Sequence, residues 1–188
     1  MKERIPFLLT VARAVLASIL LVLAWYWPAR GGFAVCLIVA FLSDFFDGVL
    51  ARKWGVATAT LRRYDSVADS LFYVAAVAAA WHLYPAAIVA RWPWLAALVA
   101  LELLRYAFDY LKYRREASYH MWSSKLWGIS LFVAFFSLLA LGADNVSIDL
   151  AILLGIVCDL EGLAISFILR DWHHDVPSVV HALRIRGP

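Results

Sequence analysis

Charge is scarce in this sequence: Asp, Glu, Lys and Arg make up 16% of its 188 residues, while 64% are hydrophobic. A chain with so little charge cannot cover the surface of a soluble domain, so none is expected. Cysteine is rarer still, at Cys36 and Cys158 alone, which excludes a disulfide framework. Nine glycines and six prolines are spread too thinly to make a low-complexity segment. The net charge is +3, and the basic residues are scattered over short stretches, so no nucleic-acid partner is expected. No internal repeat is visible.

What the chain has instead is long apolar runs, with a mean hydropathy of +0.78. They fall at about 6–27, 32–52, 65–84, 86–111, 122–143 and 147–170, and each is long enough to cross a bilayer. The first is too long, and wrongly flanked, for a cleaved signal peptide. The expected fold is an all-α integral membrane protein with six transmembrane helices, forming one domain over residues 1–188. With both termini on one side, that side collects Lys2, Arg4, Lys125, Arg170 and the cations of 52–63, 112–115 and 184–186. The other side receives Arg30 and Arg91, so both termini are expected to be cytoplasmic. Trp25, Trp27, Trp81, Trp92 and Trp94 mark the outer interface, and Trp54, Trp122 and Trp172 the inner one. In the tail, 171–188, Trp172, Val176, Val179, Val180 and Leu183 recur at helical spacing, as in a helix lying along the cytoplasmic interface. The positive charge suits anionic membrane lipids.

Against this background, Asp44, Asp47, Asp65 and Asp69 stand inside or beside apolar helices. Ionisable groups at membrane depth are costly and mostly functional. A helix turns by about 100° per residue, so Asp44, Asp47, Gly48 and Ala51 share one stripe, with Arg52 at its edge. Asp65 and Asp69 are an i, i+4 pair on the next helix. The segment 53–64 allows an antiparallel turn, which lets the two acidic stripes face each other. Four adjacent carboxylates resist joint ionisation, and hard divalent cations resolve that conflict, Mg²⁺ typically through a few carboxylates plus substrate phosphates. Two ions would match the four charges and clamp a pyrophosphate. Asp65 by itself would read as an ordinary helix-start residue; the full set does not.

The order Asp44-x-x-Asp47-Gly48-x-x-Ala51-Arg52, followed by Asp65-x-x-x-Asp69, resembles the signature of the CDP-alcohol phosphatidyltransferases. Pro6-Phe-Leu-Leu-Thr10-Val-Ala-Arg13 is similar to the opening that helps form that family's nucleotide pocket. The resemblance implies six transmembrane helices, a homodimer, and two bound Mg²⁺ or Mn²⁺ ions. It implies that Asp44, Asp47, Asp65 and Asp69 hold the metals, with Asp69 also the general base. It places Pro6, Thr10, Gly48, Ala51, Arg52 and Thr58 at a CDP-lipid. The implied reaction moves a phosphatidyl group from CDP-diacylglycerol to a small hydroxyl acceptor at the cytoplasmic face of the cell (inner) membrane, with CMP released.

Two positions depart from the pattern. Phe7 stands where the family has Asn or Asp, and Leu61 where it has Gly. A rearranged loop, an altered donor or a weakened enzyme would each explain them; the persistence of all four aspartates and Arg52 favours the first. For the acceptor, Arg62, Arg105 and Lys125 are the candidate cations, and glycerol 3-phosphate the favoured molecule, ahead of inositol phosphate or serine. Lys125 reads almost equally well as a snorkelling interface lysine, and Arg105 as one half of an i, i+3 pair with Glu102. The alternative function is a non-catalytic lipid- or nucleotide-binding member of the same fold. A transporter is disfavoured by the absence of inverted repeats.

Overall fold

The structure, a computed structural model, describes residues 4–54, 59–115 and 117–187, and within them the side chains outside residues 4–7, 48, 51–52 and 59–63. The chain is 82% helical, with no strand among the described residues. The helices are α1 (Arg4–Tyr26), α2 (Arg30–Lys53), α3 (Ala59–Leu83), α4 (Pro85–Val89), α5 (Trp92–Tyr113), α6 (Trp122–Phe135), α7 (Val146–Ile168) and α8 (Val179–Arg186). A π-helical segment, Phe136–Ala140, continues α6. Leu8–Tyr26, Tyr64–Leu83, Trp122–Ala140 and Val146–Ile168 are long and apolar enough to cross a membrane. The protein is accordingly a multi-pass membrane protein.

α2 and α5, with 24 and 22 residues, have the length of a span but carry charges within it: Asp44 and Asp47 on α2, and Glu102, Arg105 and Asp109 on α5. The stretch expected to be continuous over 86–111 is broken at Ala90–Arg91, where a turn separates α4 from α5. Pro93 lies at the start of α5. A proline ring cannot donate to the preceding turn but suits a first turn, so a new helix begins there.

The chain forms two compact units, residues 1–88 with 135–144, and residues 89–134 with 145–188. In the first, α1 packs against α2 and α3. Each of these helices buries a stripe at i, i+3 and i+4 spacing. On α1 it runs Thr10, Arg13, Ala17, Leu20, Ala24; on α2 Phe33, Leu37, Ala40, Ser43, Asp47. On α3 it is Ala68, Phe72, Ala75, Ala76, Ala79 and Ala80. So many alanines let the α1 and α3 backbones approach closely, the usual means of helix association in lipid. The stripes of α1 and α2 are apolar at one end and polar at the other. Because the chain reverses between α2 and α3, the α2 C-terminal half and the α1 and α3 N-terminal halves share a level. The π-helical segment also packs on α2.

In the second unit, α5 packs on α7 and α7 on α8. Met121, Cys158, Ile165, Leu169, Val176 and Ala182 form its buried cluster. The tail is therefore held by Val176 and Ala182, while Val180 and Leu183 stay exposed. It also pairs with the α5–α6 connection, through Asp175 N to Ser118 O at 3.0 Å and Trp122 N to Pro177 O at 3.2 Å. The last carbonyls of α7, which have no intrahelical partner, are capped from α5. Lys112 Nζ donates to Ser166 O at 2.7 Å and Leu169 O at 2.6 Å, and Tyr113 OH reaches the same oxygens.

Gly155 on α7 is fitted to its neighbours: a Cβ there would lie 2.8 Å from both Leu98 Cδ1 and Trp127 Nε1. Gly155→Ala is expected to destabilise this unit by about 1–3 kcal/mol through overpacking. A thermal denaturation series in detergent, with Gly128→Ala as the uncrowded control, checks this; equal midpoints for the two variants would refute the packing argument.

Candidate metal centre

The polar ends of α1, α2 and α3 meet. Asp44 and Asp47 sit one turn apart on α2, Asp65 and Asp69 one turn apart on α3, and Arg13 projects from α1. Oxygens of Asp44, Asp47 and Asp65 all lie within 4.8 Å of one another. Arg13, only 1% exposed, joins the set. Its Nη1 donates to Asp65 Oδ1 at 3.0 Å and to Asp69 Oδ1, and stands 3.4 Å from Asp44 Oδ1. Its Nη2 donates to Asp47 Oδ2. One guanidinium thus contacts four carboxylates, which it cannot neutralise. Buried like charges demand further cations, and an all-oxygen donor set suits a hard divalent ion such as Mg²⁺ or Mn²⁺. The residues present therefore fit the group that the signature implies.

Burial grades across the set. Asp47 is nearly closed off and Asp44 half exposed, with Asp65 and Asp69 between them. The centre is thus walled on the α1–α2 side and reachable at Asp44. Thr10 is buried one turn before Arg13. Thr58 lies outside the described residues, as do the side chains of Pro6, Phe7, Gly48, Ala51, Arg52, Leu61 and Arg62. The backbone of Gly48, Ala51 and Arg52 continues α2, so these positions keep the helical register with Asp44 and Asp47.

The two remaining acceptor candidates belong to the second unit. Arg105 Nε lies 3.1 Å from Asp159 Oδ1 of α7. The pairing with Glu102 at i, i+3 is thus replaced by one across helices, because Gly162 leaves room for the Arg105 stem: a Cβ at Gly162 would fall 2.8 Å from Arg105 Cδ. Asp159 is fully buried, and neither of its oxygens accepts a hydrogen bond. Lys125, in the first turn of α6, is exposed with its Nζ 4.5 Å from the centre of the Trp122 ring. Sequence reasoning missed a third polar group here, in which Ser166 Oγ donates to the buried Asp109 at 2.5 Å and meets Tyr119 OH at 3.1 Å. Its only signal was an unpaired aspartate in an apolar stretch. Ser123 likewise donates to Glu161 Oε2 at 2.5 Å.

Comparison with known proteins yields several relatives that share one name. A protein of Escherichia coli named CDP-diacylglycerol--glycerol-3-phosphate 3-phosphatidyltransferase is 40% identical over 80 residues, 41% of this chain and 43% of its own. Its namesake in Haemophilus influenzae is 36% identical over 80 residues, again 41% and 43% of the two chains. The namesake in Rickettsia felis is 35% identical over 72 residues, 37% and 39% respectively. The matches thus span about two fifths of those relatives. No solved structure matches. The sequence profile described as CDP-alcohol phosphatidyltransferase matches residues 3–158, which takes in α1 to α6 and half of α7. With that match over most of its length and the four carboxylates gathered at one level, the chain belongs to the CDP-alcohol phosphatidyltransferase family.

Proposed function

We propose that the protein transfers a phosphatidyl group from CDP-diacylglycerol to glycerol 3-phosphate, releasing CMP. The observation that carries this reading is the convergence of Asp44, Asp47, Asp65 and Asp69 on one buried arginine. The names of the relatives favour CDP-diacylglycerol as donor and glycerol 3-phosphate as acceptor. The four aspartates would hold two Mg²⁺ or Mn²⁺ ions, which when bound supply Lewis-acid charge to the pyrophosphate. Asp69 accepts the proton of the acceptor hydroxyl, which attacks the lipid-side phosphorus in line as the bond to CMP breaks. The α2 stripe of Gly48, Ala51 and Arg52, together with Pro6, Thr10 and Thr58, receives the nucleotide and its phosphates. Arg62, Arg105 and Lys125 receive the phosphate of the acceptor.

The proposed architecture is one membrane domain with six spans, α2 and α5 adding to the four apolar ones. Asp47, Arg105 and Asp109 are turned into protein and Asp44 opens to the centre, which reconciles the length of these two helices with their composition. Both termini and the centre face the cytoplasm of the cell (inner) membrane, and two copies form a homodimer.

The test is CMP release by the purified full chain in lipid nanodiscs, with CDP-diacylglycerol, Mn²⁺ or Mg²⁺, and a panel of acceptors. Release is expected with glycerol 3-phosphate and is expected to fall to background in EDTA, returning when the ion is restored. Release with another acceptor would reassign the acceptor. No release with any acceptor, from folded protein that binds Mn²⁺, would favour the non-catalytic reading.

A further inference from the structure

We infer that Arg13 is a displaceable counter-cation of the carboxylate centre, competing with divalent ions for the oxygens of Asp44, Asp47, Asp65 and Asp69. The inference rests on the metal reading above and extends it to a residue of α1.

Arg13 is the one group that touches all four carboxylates among the described residues. Its fork is spent on one oxygen each of Asp47, Asp65 and Asp69, oxygens that ions would share. A lone pair that accepts an N–H bond is closed to an ion, and a guanidinium within a few ångströms of a divalent ion is repelled by it. Ion binding therefore has to move the fork aside. Only the fork is tied: Nε is buried and makes no hydrogen bond. α1 carries no carboxylate of its own, so the side chain has no acidic partner on its own helix. Along the buried stripe its neighbours are the small residues Thr10 and Ala17.

The charge balance gives the exchange a purpose. Four carboxylates and one guanidinium sum to −3, enough attraction to draw divalent ions while limiting the mutual repulsion of the acids. With two ions bound the sum becomes positive by one, because Arg13 stays nearby, and that suits an anionic diphosphate donor.

The experiment measures Mn²⁺ affinity by electron paramagnetic resonance on the purified full chain in nanodiscs, together with the thermal midpoint in EDTA. Wild type, Arg13→Gln and Arg13→Lys are compared. Arg13→Gln is expected to bind Mn²⁺ roughly tenfold tighter or better and to melt lower than wild type in EDTA. Arg13→Lys keeps the charge without the fork, so a smaller gain in affinity is expected, and it serves as the folded variant if the glutamine protein fails to fold. A wild type that binds Mn²⁺, with folded variants that bind it no tighter, overturns the role of Arg13 and leaves the metal reading standing. A wild type that binds no Mn²⁺ overturns both.

Discussion

Asp69→Asn is expected to cut acceptor-dependent CMP release by about 10²–10⁴-fold, the usual worth of a general base. Asparagine has the same shape but cannot take a proton from the attacking hydroxyl. The substitution also removes one of four crowded negative charges, so the thermal midpoint in EDTA is expected to hold or rise rather than fall. That separates lost chemistry from lost structure. Kinetically, kcat should carry the loss, with KM for CDP-diacylglycerol little changed, since proton removal matters in the transition state and not in donor binding. Should the asparagine protein keep activity within about tenfold of wild type, Asp69 is no base and the proton must leave by another route. Asp44→Asn provides the contrast. Its side chain is half exposed and is assigned only to metal, so its deficit should be relieved by raising Mn²⁺, whereas that of Asp69→Asn should persist.

The four aspartates were legible because two simple periods specify them. A gap of three on α2 and of four on α3 puts each pair on one helix face, and a reversal between the helices brings the faces together. Arg13 was legible only as the last residue of the Pro6–Arg13 motif. Sequence could not say which acids it would meet, since its four partners lie 31 to 56 residues away. Helix existence also followed from hydropathy, whereas the break at Ala90–Arg91 depended on Pro93 choosing a first turn over a kink. The π-helical segment Phe136–Ala140 had no local signal at all. Four of its five residues are apolar, none is remarkable in propensity, and their register follows from packing on α2. The pairing of Arg105 was hidden for a similar reason. Glu102 is near in sequence, but only the absence of a side chain at Gly162 brings Arg105 against Asp159.

That last pair yields the second large effect. Arg105→Met is expected to destabilise the protein by about 3–5 kcal/mol, because it strands a buried carboxylate without its cation. Asp159 is fully buried and its oxygens accept no hydrogen bond, so little else offsets its charge. Thermal denaturation in detergent measures the loss. Arg105→Met combined with Asp159→Leu should recover most of it, as apolar pairs of similar volume commonly replace buried ion pairs at no net cost. The double variant then separates two roles that the single variant confounds. With the fold restored, a KM for glycerol 3-phosphate raised about tenfold or more would show that the guanidinium also grips the acceptor phosphate. An unchanged KM would confine Arg105 to neutralising Asp159. The acceptor site would then have to draw its positive charge from Lys125 and Arg62.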